Sequence, residues 1–537
     1  MLRSDRHVGF LLRANLKQNL KYSLVWIVIL EMMVASGAFK MQTIMESTGK
    51  GVQDLLNMLR MPGMAGLFGA MPKGVALNSA TVFAGVMMVF MVILDALYVM
   101  PLMVKNTRGQ EESGLLEMVR ARTVGRTAAV AAALCELVIV NVILFVLYVG
   151  TIVSLNLKGA DFNGTFLFTL ALIAANLMFG VFTLLIAQLA STARGANMIA
   201  YTVLGAAYLV RTVTDIENTD WTWLSPIGWA QKTNAYSDNN YWPVLLMFGV
   251  TLLLAAAAWQ LAKSRDLGTG ILPERAGRAR AAGYLRSIPA LLFRTTWGVV
   301  LGWLIGAVVA GGIFGGVLNS VGDILKTNPL YRQMMSVTQV NAANKTMVLS
   351  FLALYILLFV AFGVVAGAQV VFRLKEDEDK GYLGVIHATK QTRQTISLSY
   401  YLIGLAVSLV VFVVGILMVY YTGNASLKDP LAAEYLTRML VAGLPAVFAL
   451  VSLATLLVGW VPRLSAVFWA YMGIGLLVQM FGSLLNLPKD SGKFSPFGWL
   501  NQAPLHAVQT PWLSAMIIIT VVFLILGVIG YRQRDVV

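Results

Sequence analysis

Apolar runs of about 20 residues recur along the whole chain and constrain its fold more than any other feature of the sequence. A run of that length forms a helix of roughly 30 Å, the thickness of the hydrocarbon core of a bilayer. Inside a bilayer each segment must satisfy its own backbone hydrogen bonds, so runs of this kind predict helices. Only 12% of the 537 residues are charged, whereas a soluble domain carries about 25%. The sequence therefore predicts an all-α polytopic membrane protein.

We predict about twelve transmembrane helices, six in each half of the chain. They cover residues 22–40, 81–104, 128–153, 165–190, 197–213, 242–262, 295–318, 348–372, 398–421, 435–459, 465–487 and 510–530. The predicted domains are a first six-helix half at 1–267, a basic cytoplasmic linker at 268–290 and a second six-helix half at 291–537. The basic N-terminal segment lacks the short apolar core and the cleavage site of a signal peptide, so we expect it to be retained.

The formal net charge is +15, and Lys and Arg concentrate in the segments that face the cytoplasm when the N-terminus is inside. The positive-inside rule then predicts a multi-pass protein of the plasma membrane with both termini in the cytoplasm. A basic balance of this origin indicates no nucleic-acid partner. The single cysteine, Cys135, excludes an internal disulfide and a thiolate metal site. His7, His387 and His506 show no metal-ligand spacing.

Three short motifs occur in both halves of the chain, in the same order. Between helices two and three, each half has an acidic segment that leads to a glycine, Gly114 or Gly381. Each half ends in Arg-Asp, at Arg265 and Arg534. A third motif, Ser-Pro-x-Gly-Trp, joins helices five and six, and its residues are Ser225, Pro226, Gly228 and Trp229 in the first half and Ser495, Pro496, Gly498 and Trp499 in the second. The order indicates two parallel six-helix repeats related by an axis along the membrane normal.

The Ser-Pro-x-Gly-Trp motif lies on the extracellular side in this arrangement. Proline and glycine interrupt helices, and tryptophan favours the membrane interface. Two interpretations stay open: a broken, partly re-entrant segment at the outer mouth, or a turn with an aromatic anchor.

The connection between helices two and three predicts a short amphipathic helix in the cytoplasm in each half. Apolar residues follow each glycine at helical spacing, namely Leu115, Met118 and Val119 in the first half and Tyr382, Val385 and Ile386 in the second. Such a helix could rest on the lipid headgroups. Because the feature is duplicated, a duplicated soluble partner explains it better.

This combination resembles the permease subunit of an ABC-type exporter. More narrowly, it is similar to the fused twelve-helix permeases of the tetronasin-resistance, polyketide-antibiotic exporter class of Gram-positive bacteria. The resemblance implies that the loops are coupling helices that dock on an ATP-binding subunit, present as two copies. The positions that carry the family pattern are Glu112, Gly114 and Glu117 in the first half and Asp379 and Gly381 in the second. Gly384 replaces the counterpart of Glu117, which questions equal coupling by the two halves.

The chain contains no Gly-x-x-x-x-Gly-Lys-Ser/Thr motif, and so it lacks the loop that cradles nucleotide phosphates. The resemblance therefore implies that ATP and Mg²⁺ are held by the partner subunit. We expect this chain to bind no cofactor, to have no catalytic residue and not to be an enzyme itself.

Three acids fall within the predicted helices: Glu31, Asp95 and Glu136. Each lies about nine residues, or about 14 Å, from the cytoplasmic end of its helix, which predicts one common depth near the middle of the bilayer. They could be protonated carboxyls that hydrogen-bond to a neighbouring helix. They could also form a substrate pathway for a cationic amphiphile, or a polar latch between helices.

The leading hypothesis is a permease that exports a hydrophobic or amphipathic compound, such as an antibiotic, and is powered by a separate ATP-binding subunit. The alternative is a proton-coupled secondary transporter that uses Glu31, Asp95 and Glu136 as proton carriers. The two large loop helices argue against that alternative. A membrane enzyme would need a cluster of His, Cys or Ser residues, and the sequence shows none.

Overall fold

The computed structural model describes residues 7–46, 59, 65–66, 68–72, 77–121, 124–265, 270, 280, 282–327, 337–388, 391–427, 429–481, 488, 490–500, 503–507 and 509–534. Every regular element among these residues is helical, and none is a strand. The prediction of an all-α polytopic membrane protein is therefore confirmed. The chain divides into two compact units, Met1–Gly277 and Arg278–Val537. Most of the predicted linker 268–290 lies outside the described residues.

The first unit contains six long helices and several short ones. Its helices are α1 (Val8–Glu46), α2 (Ser79–Val104), α3 (Gln110–Glu112), α4 (Leu115–Arg120), α5 (Ala128–Ser154), α6 (Phe162–Leu189), α7 (Ala193–Glu217), α8 (Pro226–Gln231) and α9 (Trp242–Ser264). A π-helical segment, Lys105–Gly109, joins α2 to α3. A 3₁₀ helix, Thr219–Leu224, precedes α8.

The second unit also contains six long helices. Its helices are α10 (Ile288–Thr327), α11 (Val337–Asp379), α12 (Tyr382–His387), α13 (Arg393–Ser426), α14 (Ala433–Trp460), α15 (Ser465–Phe481) and α16 (Thr510–Gln533). Three short 3₁₀ helices, Pro462–Leu464, Ser491–Phe494 and Pro496–Leu500, flank α15.

Both units follow the same packing order. The first long helix packs on the third, the second on the fourth, and the fourth on the sixth. In the first unit α2 and α6 are the most buried helices, and in the second unit α11 and α14 are. Each of these helices contains a long apolar stretch, which suits a position surrounded by other helices. The shared order is what a duplicated six-helix unit predicts.

Eleven helices of the described chain are long and apolar enough to cross a membrane. The predicted span 197–213 corresponds to α7, which forms but does not meet that criterion. Its C-terminal half contains a buried ion pair, in which Arg211 Nη1 lies 3.5 Å from Asp215 Oδ2. Thr222 Oγ1 donates a 2.6 Å hydrogen bond to the same aspartate. The total of twelve spans stays a prediction.

The first helix begins at Val8, although the predicted span begins near residue 22. Its early turns contain Asn15 and Asn19, which lower the hydropathy but are buried. Gln110 Nε2 donates a 2.8 Å hydrogen bond to Asn15, and Asn19 bonds to residues of two other elements. Hydropathy alone missed this extension because polar pairing replaces apolar burial there.

Candidate functional site

Each unit joins its second and third long helices through a left-handed glycine. Gly114 has a φ of 71° and Gly381 a φ of 73°, and each directly precedes a short helix, α4 or α12. A residue with a Cβ atom would be strained in this conformation. The two predicted glycines therefore occupy the same structural position and turn the chain into the short helix.

The two short helices present apolar side chains to their surroundings. Met118 is 74% exposed and Val385 is 76% exposed, and Leu115 and Tyr382 are exposed beside them. The residues that follow Leu115 and Tyr382 point inward, since Leu116 and Leu383 are buried. Each short helix is thus fixed by one leucine and leaves its other apolar side chains uncovered within its unit.

The acids predicted for the two loops, Glu112, Glu117 and Asp379, lie on the surface. Glu112 Oε1 accepts a 2.6 Å hydrogen bond from the backbone N–H of Ala193, at the start of α7. Glu117 is exposed on α4. Asp379 is exposed and forms an ion pair with Lys375 one turn earlier. Their predicted role in coupling stays a prediction.

The sequence analysis missed two buried acids in the same loops. Glu111 forms an ion pair of 2.5 Å with Arg265, and Glu378 forms one of 2.5 Å with Arg534. Both arginines belong to the Arg-Asp motif that ends each half. The sequence did contain a signal for these ion pairs, because both the Arg-Asp motif and an acid before the glycine recur in each half.

The three acids of the long helices do not meet at one place. Thr151 donates a hydrogen bond to Glu31, and Tyr148 donates a 2.8 Å bond to Asp95. Thr151 and Tyr148 are one turn apart on α5, so Glu31 and Asp95 lie at neighbouring levels. Glu136 precedes Tyr148 on α5 by about 18 Å along the helix axis.

Glu136 belongs to a separate polar cluster. Asn19 donates to Glu136 Oε1 at 3.0 Å, and Asn106 donates to Glu136 Oε2 at 2.8 Å. Asn19 also donates to Asn106 at 2.8 Å, and all three side chains are buried. The prediction of one common depth is therefore wrong for Glu136. The predicted depths are counted from the ends of the apolar runs. In the structure α1 begins before its apolar run, and the helix of α2 continues beyond its run through the π segment, so Glu31 and Asp95 lie further from the helix ends than Glu136 does.

Further polar atoms are buried inside the first unit. Asp95 Oδ2, Asn141 Oδ1 and both polar side-chain atoms of Asn176 have no hydrogen-bond partner in the described part of the chain. Buried groups of this kind normally bond to protein, water or a ligand. The interior of this unit can therefore accept hydrogen bonds from, or donate them to, a polar group that enters it.

The second unit contains a cavity with a mainly apolar lining. It has a volume of about 220 Å³ and lies between α11, α15 and the 3₁₀ helix Pro496–Leu500. Eight of its ten lining residues are apolar, among them Leu354, Leu357, Phe497 and Leu500, and the two polar ones are Ser350 and Gln479. An apolar group of a small compound fits such a lining.

The two Ser-Pro-x-Gly-Trp motifs form the same turn. Trp229 Nε1 donates a 2.7 Å hydrogen bond to the carbonyl of Trp223, and Trp499 Nε1 donates one of 2.7 Å to the carbonyl of Lys493. In both cases the acceptor lies six residues before the tryptophan. In each turn, the indole N–H thus joins the end of the motif to the backbone that precedes it.

The remaining motif residues serve the same turn. Ser225 and Ser495 are buried, and Pro226 and Pro496 each begin the following short helix. A Cβ atom on Gly228 or Gly498 would clash with a backbone carbonyl oxygen, that of Thr222 or Gly492 respectively. This geometry favours a turn with an aromatic anchor over a re-entrant segment. Its position at an outer mouth stays a prediction.

No group of three or more His, Cys, Asp or Glu side chains in the described ranges is arranged to hold a metal ion. What the geometry offers is a duplicated protruding helix, a polar interior in one unit and an apolar cavity in the other.

Comparison with known proteins gives two matches. A family model described as "Multidrug efflux system permease Rv1217c, C-terminal domain" matches residues 25–261 and 285–532. The two matched stretches fall one in each unit. The chain is also 29% identical over 456 residues to the "Multidrug efflux system permease protein Rv1217c" of Mycobacterium tuberculosis (strain ATCC 25618 / H37Rv). That alignment covers 82% of this chain and 80% of the relative.

Proposed function

Because the chain belongs to the family described as multidrug efflux system permease Rv1217c, C-terminal domain, we propose that it is the permease of an ATP-driven exporter. A separate ATP-binding subunit supplies the energy, and this chain moves a hydrophobic or amphipathic compound out of the cell. The narrower resemblance to tetronasin-resistance exporters stays a prediction.

The duplicated short helices carry this proposal. In a membrane protein, lipid can cover exposed apolar residues on long helices, but α4 and α12 lie in the connecting loops. Met118 and Val385 are the most exposed apolar residues of the two loops. A partner that covers them gains the free energy of burying apolar surface. One such helix in each unit gives two docking surfaces, and so we propose two copies of the ATP-binding subunit.

The proposed mechanism needs a direct path from the partner to the long helices. Each short helix follows the second long helix in the chain and begins directly after a left-handed glycine, Gly114 or Gly381. Closure of the ATP-binding subunits, which hold the nucleotide and Mg²⁺, then displaces the short helices and the long helices behind them. On this proposal the loops and both termini face the cytoplasm of a plasma-membrane protein.

The proposed substrate has an apolar body and a polar or cationic group. The cavity of the second unit offers apolar walls, including Phe497 and Leu500. The interior of the first unit offers the carboxylates of Glu31 and Asp95, and carboxylates attract cations.

Cross-linking with a maleimide–succinimide reagent, which joins an introduced cysteine to a lysine of the partner, tests the docking surface. Cys135 is the only cysteine, so Cys135→Ser gives a background without thiols. In that background, Met118→Cys and Val385→Cys should each cross-link to the co-expressed ATP-binding subunit, and a variant with both cysteines should capture two copies. Leu253→Cys, on an exposed position of α9 away from the loops, is the matched control.

Transport is measured in the same preparations. Inside-out vesicles that contain both subunits should accumulate ethidium only when ATP is added, and the purified permease alone should hydrolyse no ATP. Absence of cross-links at both loop positions, with the two subunits co-purifying, would overturn the proposed docking surface.

The alternative is a proton-coupled secondary transporter, and the carboxylates of Glu31, Asp95 and Glu136 favour it, since the last two are buried and Glu31 is partly buried. In that case ethidium accumulation should follow a pH gradient without ATP and should stop when a protonophore collapses the gradient. An ATP requirement that persists with the protonophore present would exclude this alternative.

A further inference from the structure

Arg265, which directly follows α9, binds Glu111 in the loop after α2 through both terminal nitrogens of its guanidinium. Arg265 Nη1 donates to Glu111 Oε2 at 2.9 Å, and Arg265 Nη2 donates to Glu111 Oε1 at 2.5 Å. Both side chains are about 95% buried, at 6% and 5% exposure. An arginine just beyond a helix end is ordinarily exposed to solvent. Two parallel bonds also fix the orientation of the carboxylate, which a single bond does not.

The second half repeats the contact at its own end. Arg534 Nη2 donates to Glu378 Oε2 at 2.5 Å, and the Glu378 side chain is buried. Arg534 also lies over the ring of Tyr531, 5.4 Å from its centroid. Glu111 and Glu378 each lie three residues before the left-handed glycine of their loop. The same ion pair therefore links the same two elements in each unit.

We propose that Arg265 and Arg534 are positioning residues that tie the sixth long helix of each unit to the loop that carries its short helix. This inference rests on the proposed function, because it requires a partner that moves the short helix. A displacement of α4 or α12 then reaches two long helices. One is the second long helix, through the continuous chain, and the other is α9 or α16, through the ion pair.

The contact is more extensive in the first unit. Arg108 Nη1 also donates to Glu111, at 2.8 Å, and Arg265 Nη2 donates to Gln188 at 3.0 Å. In the second unit Lys375, which lies three residues before Glu378 as Arg108 lies before Glu111, pairs with Asp379 instead. Arg265→Gln breaks three side-chain bonds, two to Glu111 and one to Gln188, whereas Arg534→Gln breaks the one described bond to Glu378, so the first change should have the larger effect.

The test uses the complete complex of permease and ATP-binding subunit in vesicles, with ethidium as the transported probe. Arg265→Gln should lower the amount of ethidium transported per ATP hydrolysed by about tenfold, and Arg534→Gln by about fivefold. Lys263→Gln and Arg532→Gln are matched controls, since each exposed residue lies two positions before its arginine. Both controls should keep the wild-type ratio.

Charge reversal separates positioning from folding. Glu378→Arg combined with Arg534→Glu restores an ion pair in the second unit, where no second arginine bonds to the loop acid among the described contacts. This double variant should regain at least half of the wild-type ratio. Cross-linking at Met118→Cys and Val385→Cys should remain in every variant, which keeps the docking proposal separate from this one.

Two results would overturn the inference. One is a wild-type transport ratio in both Arg→Gln variants. The other is a charge-reversed variant that assembles with its partner as wild type does but stays as uncoupled as Arg534→Gln. If Arg534→Gln does not assemble with its partner, the charge-reversed variant is compared with wild type instead. A transport ratio of at least half the wild-type value then supports the inference, and a lower ratio in the assembled complex contradicts it.

Discussion

The second and third long helices meet in different ways in the two units. In the first unit α2 and α5 approach closely at few positions and are bridged by long polar side chains, such as Tyr148 with Asp95. In the second unit α11 and α13 pack along their length. Gly363 and Gly367 of α11 lie very close to the backbone of α13. A Cβ atom on Gly363 would clash with the carbonyl oxygen of Ser408, and one on Gly367 with that of Gly404.

The difference teaches what each unit can contribute to transport. Small residues four apart let helices approach closely in a membrane, so the α11–α13 contact depends on shape at these glycines. Tyr400 of α13 also donates a 2.7 Å hydrogen bond to Asp377 at the end of α11. A hydrogen bond between polar side chains can instead be exchanged for a bond to another polar group. The first unit therefore has an interior that can contact a polar or charged group. The second unit has a close-packed helix pair and an apolar cavity, although both units carry the same loop.

The largest expected effect concerns the buried ion pair of α7. Arg211→Leu leaves Asp215 buried without its counter-ion and should lower the free energy of unfolding by about 3–5 kcal/mol. Arg438→Leu is the control in the second unit, because Arg438 pairs with Glu434 at the surface, where the two side chains are 37% and 65% exposed. That change should cost less than about 1 kcal/mol. Denaturant unfolding in detergent measures both, and equal losses would contradict the contrast between the units.

The next effect concerns the glycine contact of the second unit. Gly367→Ala places a Cβ atom against the carbonyl oxygen of Gly404, so the two helices must separate. The free energy of unfolding should fall by about 1–3 kcal/mol. Gly306→Ala is the control on α10, where a Cβ atom meets nothing within 4 Å. A Gly367→Ala variant as stable as the control would show that close approach is not what holds α11 to α13.

A smaller effect is expected from the unequal loop residues. Glu117→Ala should lower transport per ATP hydrolysed by about fivefold, whereas Gly384→Ala should leave it unchanged. Gly384 has open space around its Cβ position, so the alanine is sterically tolerated there. Parallel assays of ethidium transport and ATP hydrolysis give the ratio. Equal losses in the two variants would mean that the loop glutamate does not distinguish the units.

The smallest effect on stability is expected from Asp95→Asn, because the amide oxygen can still accept from Tyr148. Such bonds in membranes contribute about 0.6 kcal/mol. Glu136→Gln should cost more, since its two oxygens accept from Asn19 and Asn106 and an amide NH₂ would face a donor. Thermal unfolding in detergent ranks the two variants.

The same isosteres test the substrate pathway, together with Glu31→Gln. Resistance to cationic compounds should fall while resistance to neutral compounds is kept, because each variant removes the charge of one carboxylate of the first unit. Glu434→Gln, an exposed carboxylate of the second unit, is the control. A resistance profile identical to wild type in Asp95→Asn, Glu31→Gln and Glu136→Gln would assign these acids to packing.

Much of the architecture could be predicted because the signals are local. Apolar runs predicted the long helices, and glycines with helical apolar spacing predicted the short helices α4 and α12. The duplicated Trp229 and Trp499 predicted matching turns, and their indole bonds do match.

What could not be predicted depends on contacts between distant residues. Asn19 reads as a polar residue before a membrane span, and only its bonds to Asn106 and Glu136 explain why α1 includes it. Arg265 likewise reads as a positive stop signal after a helix. Its burial against Glu111, 154 residues earlier, follows from how the helices pack and not from the local sequence.

The π segment Lys105–Gly109 has a consequence for changes in chain length. A π turn holds one more residue than an α turn, so deletion of one residue there would leave a regular α-helix that ends in the same direction. In the second unit α11 is α-helical up to Asp379. The same deletion near residue 374 would rotate all that follows by about 100° and turn Val385 away from its present face. We therefore expect the stem of the first loop to accept the loss of one residue, whereas the stem of the second loop does not.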